Sequence, residues 1–95
     1  MDDEVISMNL RIEGDVQGVG FRDFAAREAN NRGLNGWDRN RGDGTVEIVA
    51  CGLRSEVEAF IAICLGGPKG AKVTACNLEP AELPATPGFT MRPSL

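Results

Sequence analysis

The chain has 95 residues, a net charge of −4 from 14 acidic and 10 basic side chains, and no histidine. That length makes one domain that buries roughly 60–65% of its unfolded surface, and the acidic balance excludes a protein that holds nucleic acid through clustered Lys and Arg. No run approaches the roughly 20 apolar residues of a bilayer-spanning helix.

The N-terminal Met1-Asp2-Asp3-Glu4 lacks the basic start and apolar run of a secretory signal. Cys51, Cys64 and Cys76 are an odd number without CxxC spacing, and they read as small hydrophobes in a reducing cytoplasm. With no histidine and no close ligand spacing, neither a metal nor a cofactor is expected.

From Val5 to Glu13 the chain alternates loosely, with Met8, Leu10 and Ile12 on one side, as a half-buried strand does. From Phe21 to Arg32 the apolar residues Phe21, Phe24, Ala25 and Ala29 recur at helical spacing, and Gly33 stands where a left-handed residue ends a helix. Leu34 to Asn40 and Thr45 to Cys51 read as strands joined by Arg41-Gly42-Asp43-Gly44, an Asp-Gly hairpin signal. Val57, Phe60, Ile61, Cys64 and Leu65 follow the spacing of one helix face, and Gly66-Gly67-Pro68 stops that helix. Ala71 to Leu78 then alternates through Val73, Ala75 and Leu78 as a fourth strand. Beyond it the tail, residues 79–95, contains Pro84, Pro87 and Pro93, and Phe89 and Met91 leave room for at most a short edge strand.

The order β-α-β-β-α-β predicts an α+β, ferredoxin-like sandwich: an antiparallel four-stranded sheet with both helices on one face. Residues 1–95 form a single domain in this reading, with its core in 5–78. The first and third strands lie in the sheet centre and the second is an edge.

The run Gly14-Asp15-Val16-Gln17-Gly18-Val19-Gly20-Phe21-Arg22 connects the first strand to the first helix. Three glycines in seven residues exceed what a plain turn needs. Such a loop lets successive amides converge on an anion at a helix N-terminus, and Arg22 adds a planar cation for two parallel bonds to phosphate oxygens. The spacing is not that of a dinucleotide fingerprint, and no Gly-Lys-Ser/Thr ending makes it an NTP-binding loop. Asn40, closing the second strand, has two readings: an amide that favours the hairpin, or one that holds a water in line with a bound phosphorus. Trp37 and Phe21, Phe24 and Phe60 read as packing residues; Arg27, Arg32, Arg39 and Arg41 read as solvated surface.

Gly14-x-Val-Gln-Gly-Val-Gly-Phe-Arg22, Gly33-Leu-x-Gly-Trp37-x-Arg-Asn40, Asp43-Gly-Thr-Val-Glu-Ile48 and Gly67-Pro68-x-x-Ala71-x-Val73 together resemble the acylphosphatase family, in unbroken order from Val5 to Leu78. The resemblance implies a small cytosolic, monomeric enzyme that hydrolyses the carboxyl–phosphate anhydride of acyl phosphates without metal, cofactor or covalent intermediate. It implies that the backbone of Asp15, Val16, Gln17, Gly18, Val19, Gly20 and Phe21 binds the phosphate with Arg22, and that Asn40 positions the attacking water.

Its expected partner is a small acyl phosphate, with neither nucleic acid nor membrane involved. An alternative within the same resemblance is a non-catalytic phosphate- or carbamoyl-phosphate-binding module, as in the acylphosphatase-like domain of larger carbamoyltransferases. RNA binding on the sheet is disfavoured by the lack of stacking aromatic positions and basic charge.

Two residues depart from the family pattern. Asp15 stands where basic or neutral residues are usual, and a carboxylate about 8 Å from an anion costs on the order of 2 kcal/mol. Asp38 replaces an apolar residue and, by strand alternation, shares a face with Asn40, where it either pairs with a cation or weakens substrate binding. Asp23, in the first turn of the helix, complements the helix dipole.

Overall fold

The first strand, β1 (Val5–Asp15), takes an interior position, as its apolar alternation suggests, between β3 (Val46–Leu53) and β4 (Lys72–Pro80), both antiparallel to it. A computed structural model gives this architecture for residues 3–95; Met1 and Asp2, the head of the acidic N-terminal segment, lie outside the described residues. The remaining elements are α1 (Phe21–Asn31), β2 (Asn35–Asn40), α2 (Arg54–Gly66) and β5 (Phe89–Met91).

The sheet order is β4-β1-β3-β2-β5. Four strands are antiparallel as expected, and β5 adds a fifth, parallel to β2 through Gly36–Phe89, Trp37–Thr90 and Asp38–Met91. β2 is therefore not the open edge that the four-stranded reading made it. Its outer side is closed by β5 and by the tail, where Arg92 donates its amide to the Asp38 carbonyl (2.7 Å) and Leu95 to the Asn40 carbonyl (3.0 Å).

Both helices cover one face. Phe21, Ala25 and Ala29 of α1 and Val57, Phe60 and Cys64 of α2 are buried against Leu10, Ile12, Val46, Ile48 and Ala50 of the sheet. Phe89 reaches the same core and meets Phe60 with ring centroids 6.3 Å apart. Phe24, expected in the core, is only half-buried and packs edge-on against Phe21.

α1 ends as its Gly33 predicts. Gly33 has φ of 68° and donates to Asn30, while Leu34 donates to Ala29, so two carbonyls that the helix leaves open are satisfied.

β4 departs from simple alternation. A bulge between Glu13 and Gly14 pairs Glu13 with Ala75 and Gly14 with Val73, which turns Val73 and Cys76 toward the core and leaves Ala75 exposed. Gly14 accounts for that bulge: a Cβ there would stand 2.0 Å from the Lys72 carbonyl oxygen.

The opposite face of the sheet is a polar cover. Glu47 accepts from Asn9, Arg39 and Arg41 at 2.8–2.9 Å, and the guanidinium groups of Arg39 and Arg92 sit over Trp37 at 4.8 and 4.5 Å. Arg39 and Arg41, read as solvated surface, are thus tied into a network, and Arg32 pairs with Glu56.

Candidate active site

The residues between β1 and α1 wrap over the end of the sheet. Gly18 and Gly20 have φ of 76° and 77°, left-handed angles that only glycine adopts without strain, and Gly20 is the N-cap of α1. No side chain caps that helix. Among the described residues, no backbone carbonyl accepts from the amides of Val16 to Asp23. An uncapped helix start preceded by two left-handed glycines is a ready site for an oxyanion.

The loop is anchored at both sides. Val16 is buried in the core, and Gln17 donates its side-chain amide to the carbonyls of Arg41 (2.8 Å) and Thr45 (2.9 Å) in the β2–β3 turn. That clamp fixes the loop relative to the end of β2, where Asn40 lies.

A cleft of about 270 Å³ opens there, lined by Val16, Gly18, Gly20, Phe21, Arg22, Asp23, Asn40 and Met91. Arg22 and Asn40, eighteen positions apart in sequence on different elements, thus face one cavity. Arg22 has no ion-pair partner among the described residues, so its guanidinium is free for a ligand.

Asp15, Gln17 and Val19 do not line the cleft. Asp15 is exposed at the end of β1 with Lys72 as its register partner, Gln17 is the clamp, and Val19 packs on the core. Asp23, read from sequence as a helix-dipole charge, and Met91, read as part of a short edge strand, also line it. Asp23 adjoins Arg22 in the first helical turn, which was a legible signal; Met91 arrives only through the pairing of β5 with β2, which the tail's composition does not announce.

Asp38 lies two residues before Asn40 on the same strand face. It is 0% exposed, and neither carboxylate oxygen has a hydrogen-bond partner. Burial pushes its carboxyl up to about 7, the nearby Arg22 guanidinium opposing and Asp23 adding to the rise.

The acylphosphatase family model matches residues 8–91. The chain belongs to the acylphosphatase family. It is 45% identical to an acylphosphatase of Rhodospirillum rubrum over 86 residues, 90% of this chain and 94% of that one. Among solved structures, the acylphosphatase of Bacillus subtilis superposes with a TM-score of 0.88 at 34% identity, covering 94% of this chain and 99% of the other. HypF of T. kodakarensis contains a similar fold, with a TM-score of 0.82 and 28% identity, covering 97% of this chain but 12% of HypF. Within the acylphosphatase fold the cleft lies between the β1–α1 loop and the end of β2, and its lining joins a free cation, unpaired amides and one carboxamide.

Proposed function

We propose that the chain hydrolyses acyl phosphates to carboxylate and phosphate at this cleft, with residues 1–95 acting as one catalytic domain. The observation that carries the reading is the shared cleft of Arg22 and Asn40 beside the unpaired amides of Val16, Gly18, Gly20 and Phe21. In this reading the amides and the Arg22 guanidinium bind the phosphoryl oxygens and stabilise the charge that builds on them. The Asn40 carboxamide, both donor and acceptor, orients a water toward phosphorus on the side opposite the leaving carboxylate.

Water's oxygen then forms the new P–O bond as the bond to the acyl oxygen breaks, and the carboxylate leaves with its electron pair. A carboxylate is a good leaving group, so positioning and charge stabilisation are sufficient in kind, and a phosphate oxygen can take the water's proton. The cleft offers no histidine as a base. Metal independence follows from the same chemistry, because the guanidinium and amides supply the positive charge that a cation otherwise would. Met91 gives the cleft an apolar wall beside which an acyl group can lie.

The higher identity to an acylphosphatase (45%) than to HypF (28%) favours the enzyme over a binding module. The unpaired thiols of Cys51, Cys64 and Cys76 fit a reducing cytoplasm, and the acidic balance fits a monomer acting on a small molecule rather than on nucleic acid or membrane.

Phosphate release from benzoyl phosphate, with and without chelator, tests the proposal. Undiminished turnover in chelator is the expected result. Asn40→Ala should lower kcat by about 100-fold or more while leaving phosphate inhibition near wild type. A loss confined to binding would contradict the water-positioning role, and phosphate binding without any hydrolysis would select the binding module.

A further inference from the structure

Asp38 is the one fully buried carboxylate of the described residues whose two oxygens are both without a partner. Buried charge is retained only where something compensates it. The groups facing Asp38 are few. From α1 come Arg22 and Asp23, and from α2 the Cys64 thiol, which feels the Asp38 charge. Its register neighbours are Ile48 on β3 and Met91 on β5, both apolar. Arg39 and Arg92 are committed to Trp37 on the other face. Arg22 is therefore the cation that compensates an ionised Asp38, and it is the same cation that faces the cleft.

We propose that Asp38 is a positioning residue for Arg22, and that an oxyanion enters the loop together with a proton onto Asp38. The inference rests on the reading that Arg22 grips the anion. With the cleft empty, the Arg22 guanidinium forms no ion pair with Asp38 but is near enough for its charge to favour the ionised carboxylate. A doubly charged anion in the loop takes that guanidinium for itself and adds its own negative charge nearby. Both effects remove what made the bare carboxylate tolerable, so Asp38 takes up a proton and Arg22 turns wholly to the ligand. The coupling is reciprocal: a protonated Asp38 favours anion binding by the factor with which the anion favours protonation.

The sign follows. Because the free protein holds Asp38 at about 7, anion affinity is full below that pH and declines above it, by at most about tenfold per pH unit while the complex keeps its proton. A buried carboxylate at position 38 thus makes anion capture sensitive to pH near neutrality.

Sulfate is the suitable probe, since its charge is constant across this range whereas phosphate titrates within it. Titration calorimetry of the wild type should show affinity for sulfate falling by about three- to tenfold between roughly pH 6 and pH 8. Uptake of close to one proton per sulfate is expected at about pH 8, read from buffers of different ionisation enthalpy, and little uptake at about pH 6. Asp38→Asn, which mimics the protonated acid, should bind sulfate with a pH-independent affinity and no proton uptake. The α-amino group also titrates in this window, and a slope that persists in Asp38→Asn would belong to it and overturn the proposal.

Should that variant fail to fold, the wild-type proton count decides by itself: no uptake at about pH 8 overturns the proposal. A pH-independent sulfate affinity in an enzyme that still cleaves benzoyl phosphate overturns the coupling and leaves the proposed function standing. Failure of the wild type both to bind sulfate and to cleave benzoyl phosphate overturns both.

Discussion

At the scale of single residues, two carboxylates on opposite faces of the sheet have opposite fates. Glu47 is 7% exposed and, although burial pushes its carboxyl up, hydrogen bonds from Asn9, Arg41 and Arg39 prevail and hold it at about 2. Asp38 is buried with no such donors and is held at about 7. The two give opposite pH dependences. Glu47, lowered from 4.5, contributes stability present above about pH 4.5 and lost as the pH falls toward 2. Asp38, raised from 3.8, keeps a proton that the unfolded chain releases, so stability declines as the pH rises from about 4 toward 7.

Denaturant melts of Asp38→Asn should therefore show a gain of ~2–4 kcal/mol over the wild type at about pH 8, vanishing near pH 4. Glu47→Gln should lose ~2–3 kcal/mol at about pH 7, and less as the pH falls below 4. A Glu47→Gln loss that does not change with pH would assign its role to packing alone. Alternation in the sequence placed Asp38 on the face of Asn40; it held no sign that the surroundings would offer no donor, because Ile48, Met91 and the helices converge on it from distant positions.

At the scale of elements, the segment after β4 is where the chain was least legible. Val73 and Ala75 alternate in sequence, but the bulge opposite Gly14 hands the inward positions to Val73 and Cys76. The tail carries prolines and one apolar pair, yet Phe89 enters the core and the segment runs along β2, so that the backbone behind Asn40 is bonded on both sides. Pairing of three residues in parallel across 53 positions has no local signature.

The tail latches the end of β2, which carries Asn40, the carboxamide we propose to hold the attacking water. Removing residues 92–95 deletes the bonds to the carbonyls of Asp38 and Asn40 and the Arg92 stack on Trp37, while sparing Phe89. Such a truncation should reduce kcat on benzoyl phosphate by about three- to tenfold with little change in KM, as expected when a catalytic group is loosened rather than removed. Full kcat in the truncated chain would show that pairing with β3 holds Asn40 unaided.

At the scale of the whole molecule, the βαββαβ order and the central placement of β1 and β3 follow from periods and turn residues alone: helical spacing in 21–32 and 57–65, the Asp43-Gly44 turn and the Gly33 stop. That topology brings the end of β2 beside the loop after β1, and the Gln17 clamp sets the distance between them. Arg22 and the loop were readable because glycines and a cation cluster in nine residues. That Asn40 joins them depended on strand order and on the turn to which Gln17 bonds, which sequence spacing does not contain.

In the proposed reaction Arg22 binds the phosphoryl group in the transition state. The most direct measurement of that role is kcat/KM for benzoyl phosphate in Arg22→Ala, alongside a thermal melt. A fall of about 100-fold or more, with the melting transition kept, is the expected result. A folded Arg22→Ala protein that turns over near the wild-type rate would contradict it.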